Sequence, residues 1–144
     1  MSTREQIYSA LLNLVSSVAE FNTKSRRLKL WTDVAPADMP AIFLLQQNEM
    51  AETVRGMDIK WTFRPELYIY VSVGNDQNAN PYAILNPILD KVTDLFNSSK
   101  LIGGVQTLDG LVHSCKMVGG VETDGGVLGT VAVAIIPIEI ITNI

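Results

Sequence analysis

The sequence predicts an α+β fold, a mainly antiparallel sheet with two helices packed on one face. Three observations predict it. Apolar residues recur at intervals of three and four in two separate segments, which marks helices. Between and after those segments they alternate at intervals of two, which marks half-buried strands. The 144 residues, of which 47% are hydrophobic, suit one domain spanning 1–144 with one core, and no internal repeat divides the chain.

The first helix is expected from Thr3 to Phe21. Ser2 and Glu5 have the spacing of a capping box, and Ile7, Leu11, Leu14, Val18 and Phe21 recur on one side. Short strands are expected at Leu28 to Trp31 and Ala41 to Gln46, separated by the proline- and aspartate-bearing loop Asp33 to Pro40. Gln46 to Gly56 is expected as a projecting polar loop. Met57, Ile59, Trp61 and Phe63 then alternate with Asp58, Lys60, Thr62 and Arg64, and Pro65, which removes a ladder donor, implies a bulge or an edge. Leu67, Ile69, Val71 and Val73 continue the apolar face, with Tyr68 and Tyr70 opposite.

After a polar loop at Gly74 to Asn80, the second helix is expected as a kinked run from Pro81 to Asn97, with a start at Asn86 as the alternative because of Pro87. Ile84, Ile88, Val92 and Leu95 form its stripe, flanked by Leu85, Leu89 and Phe96. Gly103, Gly104 and Gly110 mark a loose connection. Leu111 to Val118 and Val127 to Ile141 then form a closing hairpin around a turn at Gly119 to Gly126, with Pro137 implying an edge or a bulge.

Composition excludes several classes of function. The formal net charge is -4, and only 18% of residues are charged, so the balance is wrong for a protein that grips nucleic acid by neutralising phosphates. No apolar stretch at the amino terminus resembles a signal peptide, so the chain is expected to stay in the cytosol. The longest uncharged run, Gly125 to Ile138, is interrupted by Gly129 and Pro137 and falls short of the ~20 residues a membrane helix needs. With Cys115 and His113 each alone of its kind, neither an internal disulfide nor a histidine cluster can form. The mean hydropathy of +0.21 is high for so short a chain, and suggests a subunit covered by copies of itself or by partners.

His113 and Cys115 share a strand face, and a thiol beside an imidazole is one arrangement for an activated nucleophile. Leu111 and Met117 share that face too, so a core-facing row explains the pair more simply. The glycines at Gly103, Gly119 and Gly125 match no phosphate-binding pattern and are expected to be turn residues. Asp90 with Asp94, and Glu49, Glu52 and Asp58, are carboxylate groupings that a solvated face also explains. Lys24, Arg26, Arg27 and Lys29 form a basic knot past the first helix, a candidate contact patch whose simpler account is charge solvated at the helix end. Glu49, Glu52 and Arg55 on the projecting loop, with Tyr68 and Tyr70, are the candidate residues for an interface with a neighbouring subunit.

Taken in order, the amino-terminal helix, the segment Ala37-Asp38-Met39-Pro40-Ala41-Ile42-Phe43-Leu44, the strands from Ile59 to Val73, the helix with internal Pro87 and the strand Gly129-Thr130-Val131-Ala132-Val133 resemble the tail-terminator (minor tail protein U-like) family of long-tailed bacteriophages. The resemblance covers nearly the whole chain and rests on order and pattern. It implies a structural virion protein, assembled in the host cytoplasm into a six-fold homomeric ring at the head-proximal end of the tail. Its implied partners are other copies of itself, the tail tube protein and the head-tail connector or neck protein. DNA would pass through the lumen without specific binding. No catalytic residue, metal or cofactor is implied. Alternatives are another neck, tail-completion or tube subunit, a small cysteine-dependent enzyme using Cys115 and His113, and a nucleic-acid binder acting through the basic knot.

Overall fold

The computed structural model describes residues 2–18, 21–75, 78–125 and 129–144. Helix α1 is Arg4–Ser16. Strands β1, Thr23–Ser25, β2, Ala41–Glu52, and β3, Lys60–Ser72, precede helix α2, Tyr82–Asp94, and strands β4, Ser114–Met117, β5, Glu122–Asp124, and β6, Val131–Asn143, follow it. They build one six-stranded sheet in the order β1-β2-β3-β6-β4, with β5 also on β6. Every pairing is antiparallel except β1 with β2. The fold is α+β, as the periodicities predict.

Both helices lie on one face of the sheet. Ile7, Tyr8, Leu11 and Val15 of α1 and Leu85 and Val92 of α2 are buried in one cluster with Ile42, Leu44, Phe63, Leu67, Ile69 and the alternate residues Ala132 to Ile140 of β6. Each fully buried side chain of this size contributes roughly 1.5–3 kcal/mol relative to exposure, so α1, with four, is held far more firmly than α2, with two. Ile84 is exposed, and the buried stripe of α2 is centred one residue later, on Leu85. The helix runs through Pro87, as expected, and does not start at Asn86, but it ends at Asp94 rather than Asn97.

Several boundaries differ from expectation, each for a local reason. The capping box lies one residue later than Ser2 and Glu5: Thr3 accepts from the Gln6 N–H, and the Gln6 side chain accepts from the Thr3 N–H. Ser2 instead donates to the Leu111 carbonyl. Helix α1 stops at Ser16 rather than Phe21, where the Ser17 hydroxyl and N–H both bond back to the Leu14 carbonyl, which the next turn would have used. Ala19 and Glu20 lie outside the described residues. The first strand forms at Thr23–Ser25, not Leu28 to Trp31, because Asn22 and Thr23 are tied to the carbonyls of Asp38, Met39 and Pro40.

Most of the expected loop Gln46 to Gly56 is strand, and only its end, from Thr53, is the hairpin turn. Strand β2 continues to Glu52 and pairs with β3 as a long hairpin, with Gly56 in left-handed backbone near its end. The predicted bulge at Pro65 is present: register shifts between Leu45 and Asn48, so that Gln46 and Gln47 face the proline.

The last strand is central rather than at an edge, flanked by β3 on one side and by β4 and β5 on the other. Pro137 is tolerated there because β4 pairs only with Ile138 to Ile141 and β5 only with Val133 to Ile135. Its carbonyl faces that flank, accepting from Val118 at 3.3 Å. A strand residue's N and O point the same way, so the missing donor faces the gap between the two short strands. Strand β5 itself occupies part of the predicted turn at Gly119 to Gly126; Gly126, Val127 and Leu128 lie outside the described residues, as do Asp76 and Gln77 in the polar loop.

Candidate assembly surface

The tyrosine-bearing face of β3 is covered by the chain's own residues. Leu28, Trp31, Val34 and Met39 cross it and pack with Ala41, Phe43, Tyr70, Val131 and Val133 in a second apolar cluster. Tyr70 is buried there, its hydroxyl donating to the Lys29 carbonyl at 2.7 Å. It therefore anchors the 28–40 segment and is not free for a partner. Tyr68 is half-buried at the margin of this cover. Burial, with Glu66 and Glu122 nearby, raises its phenol pKa, and burial raises that of Tyr70. Beyond the cover the face turns polar, with an open groove of about 280 Å³ between Gln47, Arg64, Glu66, Pro137 and Glu139. Glu139 pairs there with Arg64 at 3.2 Å and Lys116 at 3.7 Å.

The two other candidate groups divide between internal and exposed roles. Glu49 fastens the hairpin to α1: Tyr8 Oη donates to its Oε2 at 2.6 Å and Arg4 Nε to its Oε1 at 2.8 Å. The Tyr8 ring stacks on Phe63 at 5.4 Å, and the Arg4 guanidinium lies 4.3 Å from the centre of the Trp61 ring. Burial and the Glu49 carboxylate together push the Tyr8 phenol far above its ordinary pKa. Arg26 joins this network by pairing with Glu5 and donating to Gln46 at 2.8 Å. Of the basic knot, Lys24, Arg27 and Lys29 are exposed. Glu52 and Arg55 are exposed near the hairpin end, outside the Tyr8 network.

Beyond Glu49 the hairpin outruns the cover of α1. The apolar row passes from Phe63, fully buried, through Trp61 on β3 to Ile59 and Met57 in the hairpin turn, and Met57 is 67% exposed. On the opposite face of the hairpin, Met50 of β2, beside Thr62, is 61% exposed, and Val54 in the connecting turn is exposed as well. Alternation in the sequence marks this row as apolar, but exposure depends on where α1 ends. These side chains, which sequence reasoning did not single out as an interface, extend the candidate surface around Glu52 and Arg55.

His113 and Cys115 are not brought together as a reactive pair. Cys115 is 1% exposed, facing the helix-side core, whereas His113 is exposed. Desolvation pushes the Cys115 thiol up to about 12, which removes the thiolate a nucleophile needs at neutral pH. Asp94 pairs with Lys100 at 2.9 Å. Among the described residues, no group of three or more histidine, cysteine or acidic side chains converges as a metal site would. Gly103, Gly104 and Gly119 take left-handed backbone as turn glycines do. No known protein family and no curated protein matches this chain.

Proposed function

We propose that this protein is a structural subunit of the tail-terminator kind, whose copies close into a ring that caps the head-proximal end of a phage tail tube and receives the head connector. The observation that carries the proposal is the β2–β3 hairpin, which extends past α1 with Met50, Val54, Met57 and Ile59 exposed. Apolar side chains gathered at the end of one hairpin, rather than scattered singly on the surface, are what a subunit presents when a neighbour covers them. The order of elements named in the resemblance supports the same reading. The net charge of -4 suits a lumen that passes DNA without gripping it.

The test is solution mass across a concentration series, by native mass spectrometry and light scattering. A species near six times 15.8 kDa is expected for the wild type. The variant Met50→Lys/Met57→Lys is expected to stay monomeric with an unchanged fold, because neither side chain is buried in the subunit. A wild-type chain that remains monomeric at every concentration overturns the ring.

A further inference from the structure

We infer that one copy's β5 pairs with the next copy's β1, so that the sheet continues from subunit to subunit around the ring. The inference rests on the ring proposed above, and three features of the sheet support it.

The two strands end the same rows. Following the registers across the sheet, Lys24 lies beside Ile42, Ile42 beside Ile69, Ile69 beside Ala134, and Ala134 beside Thr123. The neighbouring rows likewise run from Thr23 to Asp124 and from Ser25 to Glu122. Two edges at one level can meet with no shift along the strand direction. A repeated head-to-tail contact without such a shift does not climb, so a constant turn between copies closes it into a ring instead of a helical filament.

The strand senses also agree. Strand β1 runs with β2 and β6 and against β3 and β5. Moving a copy sideways along its own sheet, without reversal, therefore sets its β1 antiparallel to β5, the stronger of the two ladder types. By contrast, the β4 edge is already occupied, since Cys115 donates to the Gln106 carbonyl at 2.8 Å.

Finally, the two edges differ in charge. Arg27 and Lys29 are exposed on the segment that leaves β1 and turns onto the second face, where Tyr70 holds the Lys29 carbonyl. Register partners share a face, so Glu122, in the row of Ile135 and Tyr68, presents its exposed carboxylate on that same second face. Asp124 stands on that face as well, half-buried and already engaged within the chain. Exposed apolar side chains accompany each edge: Leu30 is 66% exposed beside Lys29, and Val121 is 42% exposed beside Glu122. A basic edge meeting an acidic edge favours this contact over one between two like edges.

The experiment compares three preparations: Glu122→Arg, Arg27→Glu/Lys29→Glu, and an equimolar mixture of the two. Each variant alone juxtaposes like charges at every contact, and is expected to raise the concentration needed for assembly at least about tenfold. In the mixture, alternating copies restore opposite charges at both kinds of contact, so rings with an even number of copies return; a folding defect in either variant could not be repaired this way. Wild-type rings that neither variant disturbs, or variants that mixing fails to rescue, overturn the edge contact and leave the ring itself standing. A wild-type chain that never assembles overturns both.

Discussion

Replacing Glu49 by alanine should loosen the hairpin from α1 by a predictable amount. The carboxylate accepts from Tyr8 Oη at 2.6 Å and from Arg4 Nε at 2.8 Å, and Tyr8 is fully buried. A hydrogen bond to a charged acceptor nets about 1.5–3 kcal/mol, and a buried hydroxyl left without its acceptor bears the full desolvation cost. The Arg4 pair, with both side chains partly open at 44% and 20% exposure, adds less than about 1 kcal/mol. Glu49→Ala should therefore cost about 2–3 kcal/mol. Tyr8→Phe keeps the ring stacked on Phe63 and leaves the carboxylate its arginine, so about 1–2 kcal/mol is expected. The double variant should cost little more than Glu49→Ala alone, giving a coupling of about 1–1.5 kcal/mol. For 144 residues, an unfolding entropy of about 2.1 cal/mol/K per residue converts 1 kcal/mol into about 3 °C of Tm. Glu49→Ala should thus melt about 6–9 °C below wild type. Denaturant titrations of all four proteins, at concentrations where each is monomeric, supply the cycle at constant slope. Strict additivity, or a Glu49→Ala protein within about 0.5 kcal/mol of wild type, would refute the view that this contact fastens the hairpin.

Three further predictions follow from buried groups and one close approach. Cys115 should resist alkylation at mildly alkaline pH and react only as the protein unfolds, since burial holds its pKa at about 12; rapid reaction of native protein would contradict that placement. Tyr8, Tyr68 and Tyr70 all titrate above the ordinary phenol value. Above about pH 10 the unfolded chain therefore loses phenol protons that the native state keeps, and stability should fall with rising pH; a stability profile flat through that range would count against it. A Cβ at Gly125 would lie 2.6 Å from Tyr82 Cζ, but Tyr82 is 37% exposed, so its ring should swing outward and Gly125→Ala should cost no more than about 0.5 kcal/mol; a larger loss that Tyr82→Ala relieves would show that the ring is held in place.

Periodicity alone determined the class of this fold. Ile7, Leu11 and the alternate residues from Met57 to Val73 are marked as apolar faces by spacing, because helices and strands repeat at different intervals whatever lies against them. The polarity of the segment bearing Glu49, Glu52 and Arg55 was legible from composition, although most of it is strand β2 and not the expected loop. Its division was not: Glu49 turns inward because α1, some forty residues earlier in the chain, delivers Tyr8 and Arg4 to it, while Glu52 lies beyond that reach. Tyr70 alternates as an outward residue and is nevertheless buried, since Leu28, Trp31 and Val34 fold across its face. Pro137 marks an edge in isolation yet sits in a central strand, at the gap where β4 gives way to β5. Spacing along the chain states which side of an element is apolar. Tertiary structure alone decided what covers that side, because the covering residues are distant in sequence and are brought there by burying their own apolar surface.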